Sequence, residues 1–529
     1  MLKYHSVDCY ALVAHCKITT EGEKMRSSGI LLHITSLTSA TGVGTLSEVD
    51  RFIDFLVASK QTYWQILPIT PTDFVNSPYA SPSAFAGNTL IIDVDALAEQ
   101  GLISEQTLAD SKLARGNDFV YAKQRMEIML REAYGNFIKQ DSPKDYQQFC
   151  DDNEYWLPDY TLFCALKNHF GGKSWMYWED QDIRNRVPEA LKHYKELLSD
   201  EMDFVAFTQY VFFSQWKTFR NKLQQKGIQL VGDIPIYVNY DSADVWAHSQ
   251  LFKLTKDKKP KCVAGVPPDF FSADGQLWGN PLYRWDVMKK DKYQWWTKRV
   301  EKCSQLFDVL RIDHFRAFDS YYSIPYGQTT ARIGRWCKGV GAGFIKHLQK
   351  TFPNLTIIAE DLGDIPQSVL DLRDKCGLAG MKIVQFAFDG SDKNPFLPKN
   401  FPKHCVAYLG THDNDTTVGW WNSLPQYNRD VVFQKCGFST DEHISLQMIQ
   451  VLAQSNADMV IYTMQDIAER DTDCRMNIPG TLGCWKYMAQ RSDFSNAKAK
   501  WLAQLTVQTG RANEQPILQT ELSQTRRKS

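Results

Sequence analysis

The residues equipped for chemistry are acids that close short apolar runs. Asp308-Val309-Leu310-Arg311-Ile312-Asp313-His314-Phe315-Arg316 begins apolar and ends in charge. In an extended chain alternate residues share a face, so Arg311 and Asp313 point the same way. A permanent cation there favours an ionised Asp313. Other apolar runs close at Asp233, at Glu360-Asp361, at His412-Asp413-Asn414-Asp415 and at Asp466. Clustered carboxylates serve three chemistries. One is a glycosidic acid and nucleophile, about 5–5.5 Å apart in a retaining enzyme. The second is a divalent-metal site, and the third is acid–base isomerisation. Arg311 argues against a metal at Asp313, because a cation would compete with a cation. For a single acid a structural ion pair is an equally good account; several converging acids point to a site.

Convergence needs a scaffold. Eight runs read as buried strands: 29–34, 63–69, 227–233, 308–316, 355–361, 381–388, 405–413 and 459–466. A helix over about 48–60, capped by Ser47 with Asp50 three residues on, joins the first two into a right-handed βαβ unit. Helices are also expected from Pro366 to Gly377 and around Ile444 to Ser455. The connector between the sixth and seventh strands reads as a loop rich in Pro, Lys and Asn. The pattern predicts an α/β fold, a (β/α)8 TIM barrel, in which all strand carboxyl ends meet on one face.

Two stretches interrupt the alternation. One, about 70–226, is mostly helical, with helical spacing over 125–139, 146–169 and 204–225. The other, about 239–305, reads as loops and includes Pro267-Pro268-Asp269 and Gly275-Gln276-Leu277-Trp278-Gly279-Asn280-Pro281. Both are expected as insertions around the C-terminal face of a single barrel domain over 25–529, with 1–24 a flexible N-terminal extension.

The bulk numbers exclude several classes. A formal net charge of −1 over 529 residues gives no basic field for nucleic acid. No apolar stretch approaches the roughly 18 residues of a membrane span, and residues 1–24 lack a signal-peptide core. Twelve cysteines lie scattered without paired zinc spacings, which suits reduced thiols and a cytoplasmic location. Aromatics make up 13% of the chain. Most belong to the core, but Trp and Tyr in the rim loops favour a sugar substrate. Gly339-Val340-Gly341-Ala342-Gly343 mimics a dinucleotide fingerprint, yet the basic segment Arg332 to Lys338 before it is no buried strand. The run Lys256 to Lys261 reads as a solvated loop. Neither cofactor nor metal is expected.

The chain also resembles the amylomaltase, or 4-α-glucanotransferase, family of the α-amylase clan, from about Arg26 to the last helices. The motifs that carry the resemblance are Trp64-Gln65-Ile66-Leu67-Pro68, Ser77-Pro78-Tyr79, Phe85-Ala86-Gly87-Asn88, Gly232-Asp233-Ile234-Pro235-Ile236-Tyr237, Gly275 to Pro281, Arg311 to Arg316, Ala359-Glu360-Asp361-Leu362-Gly363, Thr411-His412-Asp413-Asn414 and Arg475-Met476-Asn477-Ile478-Pro479-Gly480-Thr481. The resemblance implies Asp313 as nucleophile of a retaining double displacement and Glu360 as acid and then base, with a raised pKa. It implies Asp413 as the stabiliser of the transition state, with Arg311 and His412 orienting the nucleophile and the sugar. Ser77, Tyr79, Asp269, Gln276, Trp278, Asp389 and Asn477 match positions that line glucan subsites. The implied reaction moves an α-1,4-glucan segment from a malto-oligosaccharide donor to an acceptor 4-hydroxyl, in a monomer or homodimer. Departures at Ile34, Thr38, Ala80, Thr89 and Cys484 bear on subsites, not on the three carboxylates. An α-glucan hydrolase is the nearest alternative. A non-catalytic glucan-binding barrel is a further one, which the presence of all three carboxylates disfavours.

Overall fold

In the structure, a computed structural model, the described residues are 26–512 except 74, 113–116, 141–142 and 269–271. The expected N-terminal extension, the polar C-terminal tail and Asp269 lie outside them. Eight strands pair in parallel in the order β10-β11-β12-β1-β2-β3-β6-β9. Here β1 is Ser27–Leu31, β2 Tyr63–Gln65, β3 Gln229–Pro235 and β6 Val309–Asp313; β9 is Thr356–Ala359, β10 Gly380–Ile383, β11 Cys405–Tyr408 and β12 Met459–Thr463. A parallel bridge between Ile358 and Ala379 closes β9 onto β10, with Ala359 N–H donating to Ala379 O at 2.9 Å. The sheet is therefore a barrel, and each expected run supplies one strand.

Alternation along the strands sorts side chains into barrel and shell. Trp64 on β2 is fully buried against Phe52 and Phe219 of surrounding helices, at ring distances of 4.8 and 5.4 Å. Its neighbour Gln65 accepts at 2.8 Å from the hydroxyl of Tyr408 on β11, across the barrel. At the start of β6, Arg220 forks both oxygens of Asp308 at 2.5 Å, and Leu230 N–H donates to the same carboxylate. Asp308 thus anchors the amino end of the strand whose other end carries Asp313.

Several local expectations shift. The first helix runs Val49–Ala58 behind a 3-10 turn, and its cap is Thr45 with Glu48, not Ser47 with Asp50. Thr45 reaches the turn's free N–H while Glu48 reaches back to the Thr45 N–H, so the box closes one turn earlier. The helical stretch over 146–169 is two helices, Lys144–Asp152 and Leu157–His169. Pro158 lacks an N–H and is tolerated only in a first turn, so a new helix starts there. Between β10 and β11 the described structure has only short turns such as Pro398–Asn400, in line with the loop reading.

The region after β3 holds more order than its loop composition suggests. Strands β4 (Cys262–Val266), β5 (Gln276–Pro281), β7 (Ser320–Pro325) and β8 (Arg335–Lys338) form an antiparallel sheet in the order β5-β4-β7-β8. Glycine and proline mark breaks locally, but pairing with β4, itself held on its other side by β7, recruits Gln276–Pro281 as an edge strand, where Pro is tolerated. The other edge, β8, is the basic segment before the Gly-rich run. It belongs to this sheet, so the run opens no parallel βαβ unit. Among the described residues no helix is long and apolar enough to cross a membrane.

The final helix, Asn496–Gln508, packs on Val49–Ala58. Beyond it the fully buried Arg511 donates to the carbonyls of Ser27, Ala453, Ser455 and Ala457 at 2.7–3.1 Å. Arg511→Met would take this donor from the Ser27 and Ala457 carbonyls in a dry site, while those of Ala453 and Ser455 keep Arg26. It is expected to cost about 2–4 kcal/mol, read as a lower urea midpoint at unchanged slope.

Candidate active site

β3 and β6 are neighbours, and Asp233 stands opposite Arg311 in their register. The Arg311 guanidinium spans two acids: Nη1 donates to Asp233 Oδ2 at 2.5 Å and Nη2 to Asp313 Oδ1 at 2.9 Å. The Asp233 side chain is fully buried and that of Asp313 is 31% exposed, so the fork runs from barrel to cleft. The Tyr79 hydroxyl donates to the same Asp233 oxygen at 2.8 Å. Burial opposes the Arg311 charge, but Asp233 and Asp313 outweigh it and hold the guanidinium above the ordinary arginine range. The cation in this cluster is therefore supplied by the chain itself.

Glu360 directly follows β9. Its Oε2 accepts from His314 N–H at 2.6 Å and its Oε1 from Leu362 N–H at 2.9 Å. Burial first, and then the charge of Asp313, push Glu360 up to about 8 against the pull of Arg311 and the two amides. Asp313 is also raised: burial outweighs Arg311, and Asp233 and Asp413 add to it. Arg311 alone therefore does not fix the charge of Asp313, contrary to the simple reading of their spacing. The proton in the cluster resides more readily on Glu360 than on Asp313, so the two carboxyls are differentiated, as an acid and a nucleophile must be.

Asp413 lies on the loop after β11. Asn477 Nδ2 donates to its Oδ1 at 2.6 Å, and His412 Nε2 stands 3.4 Å from the same oxygen. Arg475 donates to the Asp413 carbonyl, and Asn477 N–H to the His412 carbonyl. The Tyr79 ring stacks on His412 at 5.1 Å and leans on Trp485 at 5.9 Å. Tyr79, Arg311, His412, Asp413 and Asn477 therefore form one connected set with Asp313 and Glu360.

Other expected residues sit further out. Gln276 and Trp278 share β5, where the Trp278 indole donates to Gln276 Oε1 at 3.1 Å. Trp278 meets the His314 ring edge to face at 4.8 Å, which ties β5 to the loop after β6. Ser77 Oγ accepts from Tyr79 N–H and so shapes the loop that carries Tyr79. Asp389 is exposed and accepts from Ser391 N–H. Two strand-end acids turn away from the site. Asp361 is held by Arg373 and Met381 N–H, and Asp466 accepts from Thr417 N–H. Each is a buried structural carboxylate. Cys484 accepts from Ile478 N–H at 3.4 Å and lies 3.2 Å from Thr481 Oγ1, so this departure still ties its loop together.

His314 is the residue that sequence reasoning passed over. Its backbone is left-handed (φ 55°, ψ 48°), which turns its N–H onto Glu360. That conformation costs a non-glycine residue roughly 1–2 kcal/mol. Burial drives its imidazole down to about 3, so the ring is neutral, and its Nε2 is buried without a protein partner. The only local signal is that His, like Asn and Asp, enters this region more readily than most residues.

A family model described as 4-alpha-glucanotransferase matches residues 32–492. A 4-alpha-glucanotransferase of Streptococcus pneumoniae is 41% identical over 497 residues, covering 93% of this chain and 98% of its own. One from Thermus thermophilus is 40% identical, covering 92% and 99%. The structure of the Streptococcus agalactiae amylomaltase in complex with acarbose superposes with a TM-score of 0.90 at 37% identity, covering 92% of this chain and 100% of that one.

Truncating Arg311 would leave Asp233 charged, buried and dependent on Tyr79 alone. Arg311→Ala is expected to lose about 3–5 kcal/mol of stability. Arg311→Ala with Asp233→Asn should recover part of that loss in chemical denaturation, because the orphaned charge is gone.

Proposed function

The chain belongs to the 4-alpha-glucanotransferase family, and on that premise we propose that Asp313, Glu360 and Asp413 carry its reaction. Asp313 attacks the anomeric carbon of an α-1,4-linked donor while Glu360 protonates the departing 4-oxygen. The covalent glycosyl-Asp313 intermediate is then opened by an acceptor 4-hydroxyl, whose proton Glu360 takes back. Asp413, held by Asn477 and beside His412, faces the sugar hydroxyls and steadies the positive charge of the transition state. Arg311 and His412 orient the nucleophile and the sugar bound to it. Ser77, Tyr79, Gln276, Trp278 and Asp389 line the glucan path. The observation that carries this assignment is the unequal pair: Glu360 raised to about 8 beside a carboxylate that Arg311 forks.

Transfer prevails over hydrolysis when a sugar, not water, meets the intermediate. We read the aromatic rim of Trp278, Tyr237 and His314 as part of the acceptor wall. The donors and acceptors are α-1,4-glucans, handled by a monomer or homodimer in the cytoplasm. The cysteines of the described residues are free thiols, which supports a reducing compartment. Incubation with maltotriose should give glucose together with oligomers longer than the substrate. Products no longer than the substrate would identify a hydrolase instead.

Asp313→Asn should lower kcat by roughly 10⁴-fold or more, and Glu360→Gln by roughly 10²–10⁴-fold. The second variant should regain most of its first step on an aryl maltoside, whose leaving group needs no proton. The pH dependence of kcat/KM should be bell-shaped. Its alkaline limb falls as pH rises through about 8, where Glu360 loses its proton. Its acid limb lies above the ordinary aspartate range, because Asp313 is raised. Both limbs belong to the coupled pair.

A further inference from the structure

A second cleft, of about 880 Å³, lies on the flank of the antiparallel sheet. Its size falls in the range of small-molecule sites, about 300–1,000 Å³. The run Lys256 to Lys261, which composition assigns to a solvated loop, forms one of its walls. Six of the charged side chains lining it are cationic and one, Asp286, is anionic, in a chain whose net charge is −1. Arg284 neutralises Asp286 at 2.9 Å. The other five cations have no carboxylate partner among the described residues. Lys253 and Lys258 donate instead to the hydroxyls of Tyr321 and Ser249, both at 2.5 Å. Lys256, Lys261 and Arg335 present their charge with no side-chain partner among the described residues.

The backbone holds this arrangement in place. An antiparallel bridge between Leu254 and Pro260 and the bond from Thr255 N–H to Lys259 O close a tight turn. Within it Lys258 adopts a left-handed conformation, φ 64°, where glycine or asparagine would sit more easily. Burial, and then Arg186, push its ammonium below the ordinary lysine range. A structural charge cluster pairs its signs; this one sets five cations without a carboxylate partner among the described residues around a concave surface, which focuses an attractive field on anions. β4 begins here at Cys262, and four residues on, ~13 Å by strand rise, its Val266 pairs with Gln276. The cleft and the Gln276–Trp278 rim are thus opposite ends of one sheet.

We propose that this cleft binds a phosphate ester, borne by a free sugar phosphate or by a phosphorylated glucan, through Lys256, Lys261 and Arg335. Cations from the turn before β4 and from β8 suit a dianion with three acceptor oxygens better than a planar carboxylate. The sugar part of the proposal rests on the glucan reading above; the phosphate part rests on the cleft alone.

Calorimetric titration of the full chain with inorganic phosphate, glucose 6-phosphate and a maltodextrin phosphorylated at O6 tests it. Saturable binding that weakens as salt rises is expected. The combined variant K256Q/K261Q/R335Q should weaken it by roughly tenfold or more. The same variant should disproportionate maltotriose at the wild-type rate, which reports separately on folding and on the glucan reading. Tighter binding of the phosphorylated maltodextrin would place the ester on the glucan, and tighter binding of glucose 6-phosphate would make it a free ligand; both support the site. No saturable binding of any probe at low ionic strength, or equal binding by the variant, would overturn it.

Discussion

The Arg311 fork is the interaction on which the site depends. It joins a fully buried acid, Asp233, to a partly buried one, Asp313, across two neighbouring strands. A guanidinium is the side chain suited to this, because it stays charged and offers donors in a rigid plane. Around one cation the fold gathers Asp233, Asp313, Glu360 and Asp413, more negative charge than Arg311 balances. The excess makes it favourable to keep a proton in the cluster. Burial and the Asp313 charge direct that proton to Glu360, despite two amide donors that favour its ionised form. The unequal proton affinity of the carboxyls thus follows from one shared counter-ion and unequal solvation.

The walls of the site are held by contacts that each have a local physical reason. His314 accepts an unfavourable backbone conformation and in return aims an N–H at Glu360 while its neutral ring abuts Trp278. Asn477 restrains Asp413 from a loop far along the chain. The Tyr79–His412–Trp485 stack joins three loops. Replacing any one of these would displace a carboxyl rather than remove it. The antiparallel sheet plays the same part on a larger scale: its edge strand β5 delivers Gln276 and Trp278 to the rim, and its opposite end opens onto the basic cleft.

Much of the barrel was legible because its signals are local. Each of the eight strands is a short apolar run, and such a run records burial on both faces wherever it later pairs. The acids after those runs were visible for the same reason. The spacing of Arg311 and Asp313 by two residues placed them on one face, as the 2.9 Å contact bears out. Errors arose where a local sign had more than one resolution. The cap of the first helix moved from Ser47 to Thr45, since a run of Thr, Ser and Glu offers overlapping boxes. Gln276–Pro281 looked like a loop, and became a strand only because β4 lay beside it.

The sequence by itself determined the fold class, the order of the strands and the set of acids at their carboxyl ends, since these follow from hydrophobic period and turn chemistry within a few residues. Which acids meet in the cleft was decided by tertiary structure. Glu360 and Asp361 are adjacent and chemically alike, but one turns to the amides of His314 and Leu362 and the other to Arg373 on a packed helix. Asp466 stands at the carboxyl end of its strand, as Asp313 does, yet is folded into the first turn of a short helix. The Asp233–Arg311–Asp313 fork, the raised proton affinity of Glu360 and the gathering of lysines into one cleft likewise depend on groups far apart in the chain. Their energies arise from burial and proximity, which no local pattern encodes.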